Sequence, residues 1–239
     1  MTSIALAAYT CDQCHDAGWF TYDCDIHDHN FGKLHRCPCQ QSSDVAQKCA
    51  TLRANSGLNA VSTQTFVTFD PDHAGTRSAY RAARAFANQP EGFLYLYGSY
   101  GSGKTHLAMA IGNALIDAAM SIYFAVVPDL LDKLQVAQFD GYGAGYERLT
   151  RQLRTVDVLI LDDLGAEKTT EWRTMQLYLL VNERYQLNRP TIITSNLAPS
   201  SDRWEPRLRS RLCDDVLVHS VNLQAADYRA LPVEQRWAA

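Results

Sequence analysis

Apolar residues follow two rhythms along this chain. Short unbroken runs at 93–97 (Phe93-Leu94-Tyr95-Leu96-Tyr97), 121–127, 156–161, 190–196 and 215–221 have the length and the β-branched or aromatic content of buried strands. Helical spacing separates them. Residues 77–87 place Ala79, Tyr80, Ala83, Phe86 and Ala87 on one face, and Leu107 to Ile111 starts a second helix. Pro128 opens a third, with Leu130, Leu131 and Leu134, and 147–153 form a fourth after a loop marked by Gly141, Gly143 and Gly145. A long helix over 171–188 is expected to turn Trp172, Met175, Leu179, Leu180 and Tyr185 toward a sheet. Strands alternating with helices predict an α/β domain over 63–239.

The first forty residues break this pattern, with little periodicity of either kind. Five of the seven cysteines fall between residues 11 and 39. Cys11 and Cys14 form a CxxC knuckle and Cys37 and Cys39 a CxC closure, so four thiolates stand ready for Zn²⁺, which would supply folding energy that so short and polar a segment lacks. His15, Cys24, His27, His29 and His35 are spare candidates for the ligand set. Cys49 and Cys213 are isolated and read as packing residues. Residues 41–62, rich in Ser, Ala and Gln, read as a helix and linker. The expected organisation is therefore a zinc module at 1–40, a helix and linker at 41–62, and an α/β domain at 63–239.

Composition narrows the function classes. With 46% hydrophobic and 20% charged residues, the chain can bury one good core plus a small appendage. Its net charge of −4 excludes a protein that grips nucleic acid by bulk electrostatics, so any such contact needs local basic patches. Arg148, Arg151 and Arg154 are one such patch or a solvated helix face, and the run 203–211 is another. No apolar run reaches membrane-span length and the first eight residues lack a basic leader, which leads us to expect a cytoplasmic protein.

Chemistry concentrates where strands end. Gly98-Ser99-Tyr100-Gly101-Ser102-Gly103-Lys104-Thr105, between the 93–97 strand and a helix, is a P-loop. Its glycines let backbone N–H groups curl around phosphates, the helix N-terminus adds partial positive charge, Lys104 reaches the β- and γ-phosphates, and Thr105 holds Mg²⁺. In the next decisive strand, Val158-Leu159-Ile160-Leu161 runs into Asp162 and Asp163, a Walker B pattern. Asp162 is expected in the Mg²⁺ shell, and Asp163 is expected to orient or deprotonate the attacking water. Thr194-Ser195-Asn196 ends a further strand at the same edge, where the Asn196 amide either bonds the water or γ-phosphate or simply begins a turn.

These motifs, with the Arg207-Leu208-Arg209-Ser210-Arg211 run, resemble the AAA+ ATPases. More narrowly, they are similar to DnaC/DnaI-type replicative helicase loaders, a group related to the IstB transposition ATPases. The stretches that carry the resemblance are Leu96 through Ala108, including His106, then Leu159 through Lys168 and Pro190 through Leu197. The resemblance implies a P-loop AAA+ fold with a parallel five-stranded sheet in the order 5-1-4-3-2, flanked by helices. It implies Asn196 as the sensor-1 residue, and Arg211, helped by Arg207, as a finger reaching the γ-phosphate in a neighbouring subunit. It also implies that 127–154 contact single-stranded DNA. Eighteen residues follow Val221, too few for a full helical lid, and Arg229 in Asp227-Tyr228-Arg229 resembles the short ending that replaces it. Asp163 stands where many relatives carry Glu, which implies slow hydrolysis.

The function expected from this resemblance is an ATP- and Mg²⁺-dependent loader. It would bind a replicative helicase through the zinc module, hold single-stranded DNA and self-associate through the finger. The alternatives are a transposition helper ATPase of IstB type and a non-hydrolysing, ATP-gated DNA-binding adaptor.

Overall fold

A computed structural model describes residues 10–58, 63–139 and 143–230. The first eight residues, the end of the linker and Gly141, all used above, lie outside the described residues. The chain divides into two compact units, Met1–Thr51 and Leu52–Ala239.

In the first unit, β1 (Trp19–Phe20) pairs antiparallel with β2 (His35–Arg36), and α1 (Pro38–Asn55), which starts in this unit and runs past its end at Thr51, follows at once. The helix starts three residues earlier than the Ser/Ala/Gln-rich segment suggested. Proline suits the first helical position, where no N–H is needed and φ is already helical, and this start puts Cys39 into the first turn.

The second unit is built on five parallel strands: β3 (Phe93–Gly98), β4 (Ile122–Val126), β5 (Val158–Leu164), β6 (Thr191–Ser195) and β7 (Val218–Leu223). Their order across the sheet is β4-β5-β6-β3-β7, which is the 5-1-4-3-2 arrangement of a P-loop AAA+ domain counted from the other edge. Successive side chains face opposite layers. Phe93, Tyr95, Leu159, Leu161 and Ile193 join one cluster with residues of α4 (Val127–Phe139), α5 (Ala144–Thr155), α6 (Glu171–Gln186) and α7 (Pro206–Leu212). Ile160 turns to the other face, where α3 (Lys104–Asp117) packs so closely that a Cβ on Gly112 would come within 3.1 Å of it. The remaining helix, α2 (Arg77–Asn88), packs on α3 and buries Ala79, Ala83 and Phe86. Each fully buried aliphatic side chain here contributes roughly 1.5–3 kcal/mol.

Two expectations are corrected. In α6 the buried stripe is Leu177, Leu180, Val181 and Arg184, while Met175 and Leu179 are 42% and 41% exposed. Both lie two positions from Leu177, about 200° around a helix, so they cannot share its face. Trp172 and Tyr185 pack at the edge of the cluster. The last strand begins at Val218 rather than at residue 215, because the Asp214 carboxylate accepts from Val216 N at 2.9 Å and its carbonyl from Val218 N at 2.8 Å, closing a turn. Among the described residues no helix is long and apolar enough to cross a membrane.

Candidate functional site

The C-terminal ends of parallel strands gather whatever their loops carry, which is where ligands bind in open α/β sheets. β3 delivers the P-loop there. Gly98 and Gly101 have φ of 138° and 68°, and a Cβ would stand 2.3 Å from Leu223 O at the first and 1.6 Å from Asp227 Oδ1 at the second, so neither tolerates a side chain. The chain after β7 runs along this loop: Ser99 Oγ donates to Ala225 O at 3.0 Å and Tyr228 N to Gly101 O at 3.1 Å. Within the loop Ser102 Oγ donates to Ser99 O at 2.9 Å, while Tyr100 is 72% exposed. Gly103, the N-cap of α3, provides no side-chain cap, which leaves the first-turn N–H groups of that helix to an anion. This cradle fits a nucleotide's phosphates.

Lys104 is buried, and its Nζ donates to Gly98 O at 3.1 Å and Ser99 O at 2.7 Å. Burial pushes its pKa down, the carboxylates of Asp163 and Asp162 pull it back up, and the Arg229 guanidinium lowers it again. Arg229 therefore belongs electrostatically to this end of the sheet. The His106 ring turns away to the 65–69 segment, with Nε2 3.0 Å from Thr65 O and the ring edge-on to Phe69.

β5 brings the acids. Asp162 is 4% exposed and accepts from Thr105 Oγ1 at 2.9 Å and from Thr194 Oγ1 at 2.6 Å. Burial raises its pKa, and the Thr194 and Thr105 hydroxyls oppose that rise. A hydroxyl beside a carboxylate at the mouth of a P-loop is a donor set suited to a hard divalent cation such as Mg²⁺. Asp163 has φ of 57°, left-handed for a residue with a side chain, and its N–H donates to Thr194 Oγ1 at 2.9 Å. Asn196 directly follows β6, the strand lying between β3 and β5. That strand end is fastened by Ser195 Oγ donating to Leu164 O at 2.6 Å and Tyr95 Oη donating to Leu197 O at 2.9 Å.

Lys104, Thr105, Asp162 and Asp163 thus meet at one edge. Arg211 and Arg207, both on α7, are held elsewhere, against α6. The Arg211 guanidinium donates to Asn182 Oδ1 at 2.5 Å, to Arg207 O at 2.8 Å and to Tyr178 Oη at 3.3 Å. Arg207 stacks 4.4 Å over the Tyr178 ring and donates to Glu205 at 2.8 Å. On α5, Arg148 and Arg151 are exposed, and Arg154 pairs with Glu183 at 2.8 Å.

The thiols of Cys11, Cys14, Cys37 and Cys39 lie within 4.8 Å of one another, with Cys11 and Cys37 Sγ 3.6 Å apart and Cys14 and Cys39 Sγ 3.4 Å apart. A tetrahedral Zn–S₄ site with bonds of about 2.3 Å sets S···S edges near ~3.8 Å, so the four sulfurs fit zinc. Among the described residues neither Cys24 nor any histidine joins this group. The backbone N–H groups of Cys14 and Gln13 hold the Cys11 thiol down at about 7, whereas sharing protons with Cys14 and Cys37 pushes Cys39 up. So many sulfurs cannot all ionise without a cation.

Sequence reasoning passed over two residues. Thr194 was visible only as part of the strand-end triplet, and Arg184 is fully buried in a helix where an arginine reads as surface. A threonine two residues before a candidate sensor was the available signal for the first, and nothing local marks the second.

Comparisons with known proteins agree with this geometry. The replicative helicase loader DnaC of Buchnera aphidicola subsp. Schizaphis graminum is 29% identical over 156 residues, 64% of this chain and 63% of its own length. The replicative helicase loader DnaI of Bacillus subtilis is 35% identical over 107 residues, 44% of this chain and 33% of its own. The chain thus spans less than two thirds of the length of these relatives. The crystal structure of the DnaC helicase loader superposes with a TM-score of 0.61 at 24% identity, covering 68% of this chain and 98% of that one, and it shows the same fold. The family profile described as IstB-like ATP binding protein matches residues 68–228, about two thirds of the sequence and the whole stretch from before the P-loop to past β7, and so the chain belongs to the IstB-like ATP-binding family.

Proposed function

We propose that this protein is an ATP-dependent loader that engages a replicative DNA helicase and helps place it on single-stranded DNA. The observation that carries the ATPase part is the meeting of Lys104, Thr105, Asp162 and Asp163 at the sheet's C-terminal edge. When bound, Mg²⁺ and ATP supply an activated phosphoanhydride. Residues 98–106 wrap the phosphates, Lys104 leaves its loop carbonyls to pair with them, and Thr105 and Asp162 hold the metal. Asp163 orients the attacking water and accepts its proton, Asn196 senses the γ-phosphate, and Arg229 adds positive charge from the chain after β7. Arg211, with Arg207 beside it, completes the site of a neighbouring copy, so turnover depends on assembly.

The loader part rests on the named relatives and on the cysteine unit. Cys11, Cys14, Cys37 and Cys39 hold zinc within the proposed module at 1–40, which the 41–62 segment joins to the ATPase domain at 63–239. Trp19, Tyr22, Ile26, Phe31 and Leu34 are each 48% exposed or more, an apolar surface suited to a protein partner. The exposed Arg148 and Arg151 suit the phosphates of single-stranded DNA. The family's description favours one second reading, a transposition helper ATPase whose partner is a transposase.

Affinity capture with a hexameric replicative helicase and, in parallel, with a transposase separates the two, and capture by neither rejects both. ATP turnover with and without single-stranded DNA tests the site. Lys104→Ala and Arg211→Ala are each expected to abolish it, and unchanged rates would refute these assignments.

A further inference from the structure

Adjacent residues of a regular strand point to opposite faces, so Asp162 and Asp163 ought not to serve one site. The pairing of β5 with β6 resolves this. Leu161 pairs with Ile193 and Leu164 with Ser195, so the two aspartates together stand opposite Thr194 alone. Two residues against one is a β-bulge, a feature that re-aims a side chain. At this bulge the Thr194 hydroxyl takes up one backbone N–H that the ladder leaves free and ties down the neighbouring carboxylate. It accepts the Asp163 N–H at 2.9 Å and donates its own proton to Asp162 Oδ1 at 2.6 Å. Thr194 is fully buried, so water has no access to replace it. Thr105 also donates to Asp162, but that hydroxyl is the one a metal would take, which leaves Thr194 as the lasting tie. Both carboxylates oppose the lowering of the Lys104 pKa, so both lie near its ammonium.

We infer that Thr194 is a positioning residue for ATP hydrolysis, whose hydroxyl holds the bulge that brings Asp162 and Asp163 to the same site. The inference rests on the hydrolysis reading above. The test compares full-length wild type, Thr194→Val, Thr194→Ser and Asp163→Asn in Mg²⁺-dependent ATP turnover, in binding of a fluorescent ATP analogue and in thermal unfolding. A displaced catalytic group costs about 100-fold, so Thr194→Val is expected to lose about 100-fold in kcat while its nucleotide Kd stays within about threefold of wild type. Thr194→Ser keeps the hydroxyl and is expected to stay within about fivefold of the wild-type rate. Wild-type turnover by Thr194→Val, with Asp163→Asn inactive, overturns this inference and leaves the hydrolysis reading standing. If Thr194→Val does not fold, Thr194→Ser decides: a folded serine variant that has lost its turnover overturns the inference. A wild type without turnover that Asp163→Asn removes overturns the hydrolysis reading, and the inference falls with it.

Discussion

Arg184 and Asp162 are both buried charges on the β5–β6 pair, one at each end, and the protein treats them differently. At the end where the strands begin, the Arg184 guanidinium donates to Thr191 Oγ1 at 2.9 Å and to the carbonyls of Leu153, Val156, Asp157 and Pro190 at 2.7–3.3 Å. That accounts for all five of its N–H groups, and the carbonyls at the end of α5 add the negative end of a helix dipole. Burial lowers its pKa only to about 10, so it stays a cation and stitches α5, β5, α6 and β6 together. At the other end, Asp162 receives two hydroxyls where a carboxylate can accept about four bonds. A fully satisfied buried charge is structural, and a half-satisfied one is poised for a counter-ion.

The cysteine cluster stretches this contrast furthest, and the largest effect is expected there. Metal analysis of protein purified without chelator should find one zinc per chain, and Cys14→Ser should lose it. Structural zinc contributes on the order of 10 kcal/mol to small modules, so chelation should abolish hydrogen-exchange protection across residues 10–51. Zinc-free protein with that protection intact would break the rule.

Next in size is Arg184→Ala, which strands several buried acceptors. It should cost roughly 3–5 kcal/mol in urea unfolding, and a loss under 1 kcal/mol would remove the distinction between the two ends.

Asp162→Asn is expected to do the opposite. Burial raises the folded pKa of Asp162 above its ordinary value, so its contribution to stability is complete below about pH 4 and is lost as pH rises through the folded value. At neutral pH the charge is therefore a cost, and Asp162→Asn should raise the melting temperature by about 2–4 °C, or ~1 kcal/mol, while ending turnover. A lowered melting temperature would show that the carboxylate is structural after all.

The smallest effect concerns His106, whose pKa burial lowers. A lowered folded value means its contribution is complete above about pH 6.5 and fades as pH falls below that. Thermal melts between about pH 7 and pH 5 should lose part of their slope in His106→Gln, and an identical slope would exclude His106 as its source.

Much of this was legible from local pattern. The P-loop and the Asp162-Asp163 pair are contiguous in sequence, and each sits where an apolar run stops, so strand ends and their chemistry could be read together. Cys11, Cys14, Cys37 and Cys39 were legible by spacing. The face of α6 was not, because its eight apolar residues spread over too wide an arc, and only packing selected Leu177, Leu180 and Val181, with Arg184 filling the next turn. Arg184 itself was illegible for a physical reason: all its acceptors but the Thr191 hydroxyl are backbone carbonyls, up to 31 residues away, which carry no side-chain signature.

By itself, then, the sequence determined which residues are suited to phosphate, metal and zinc chemistry, since those demands act through residue type and short spacing. Tertiary structure decided how they act together. Only the pairing of β5 with β6 places one threonine against two aspartates, and only the packing of α5 and α6 on that pair converts an arginine into a core residue. Both depend on strand register and helix placement, which are set by contacts between distant segments rather than by any local run of residues.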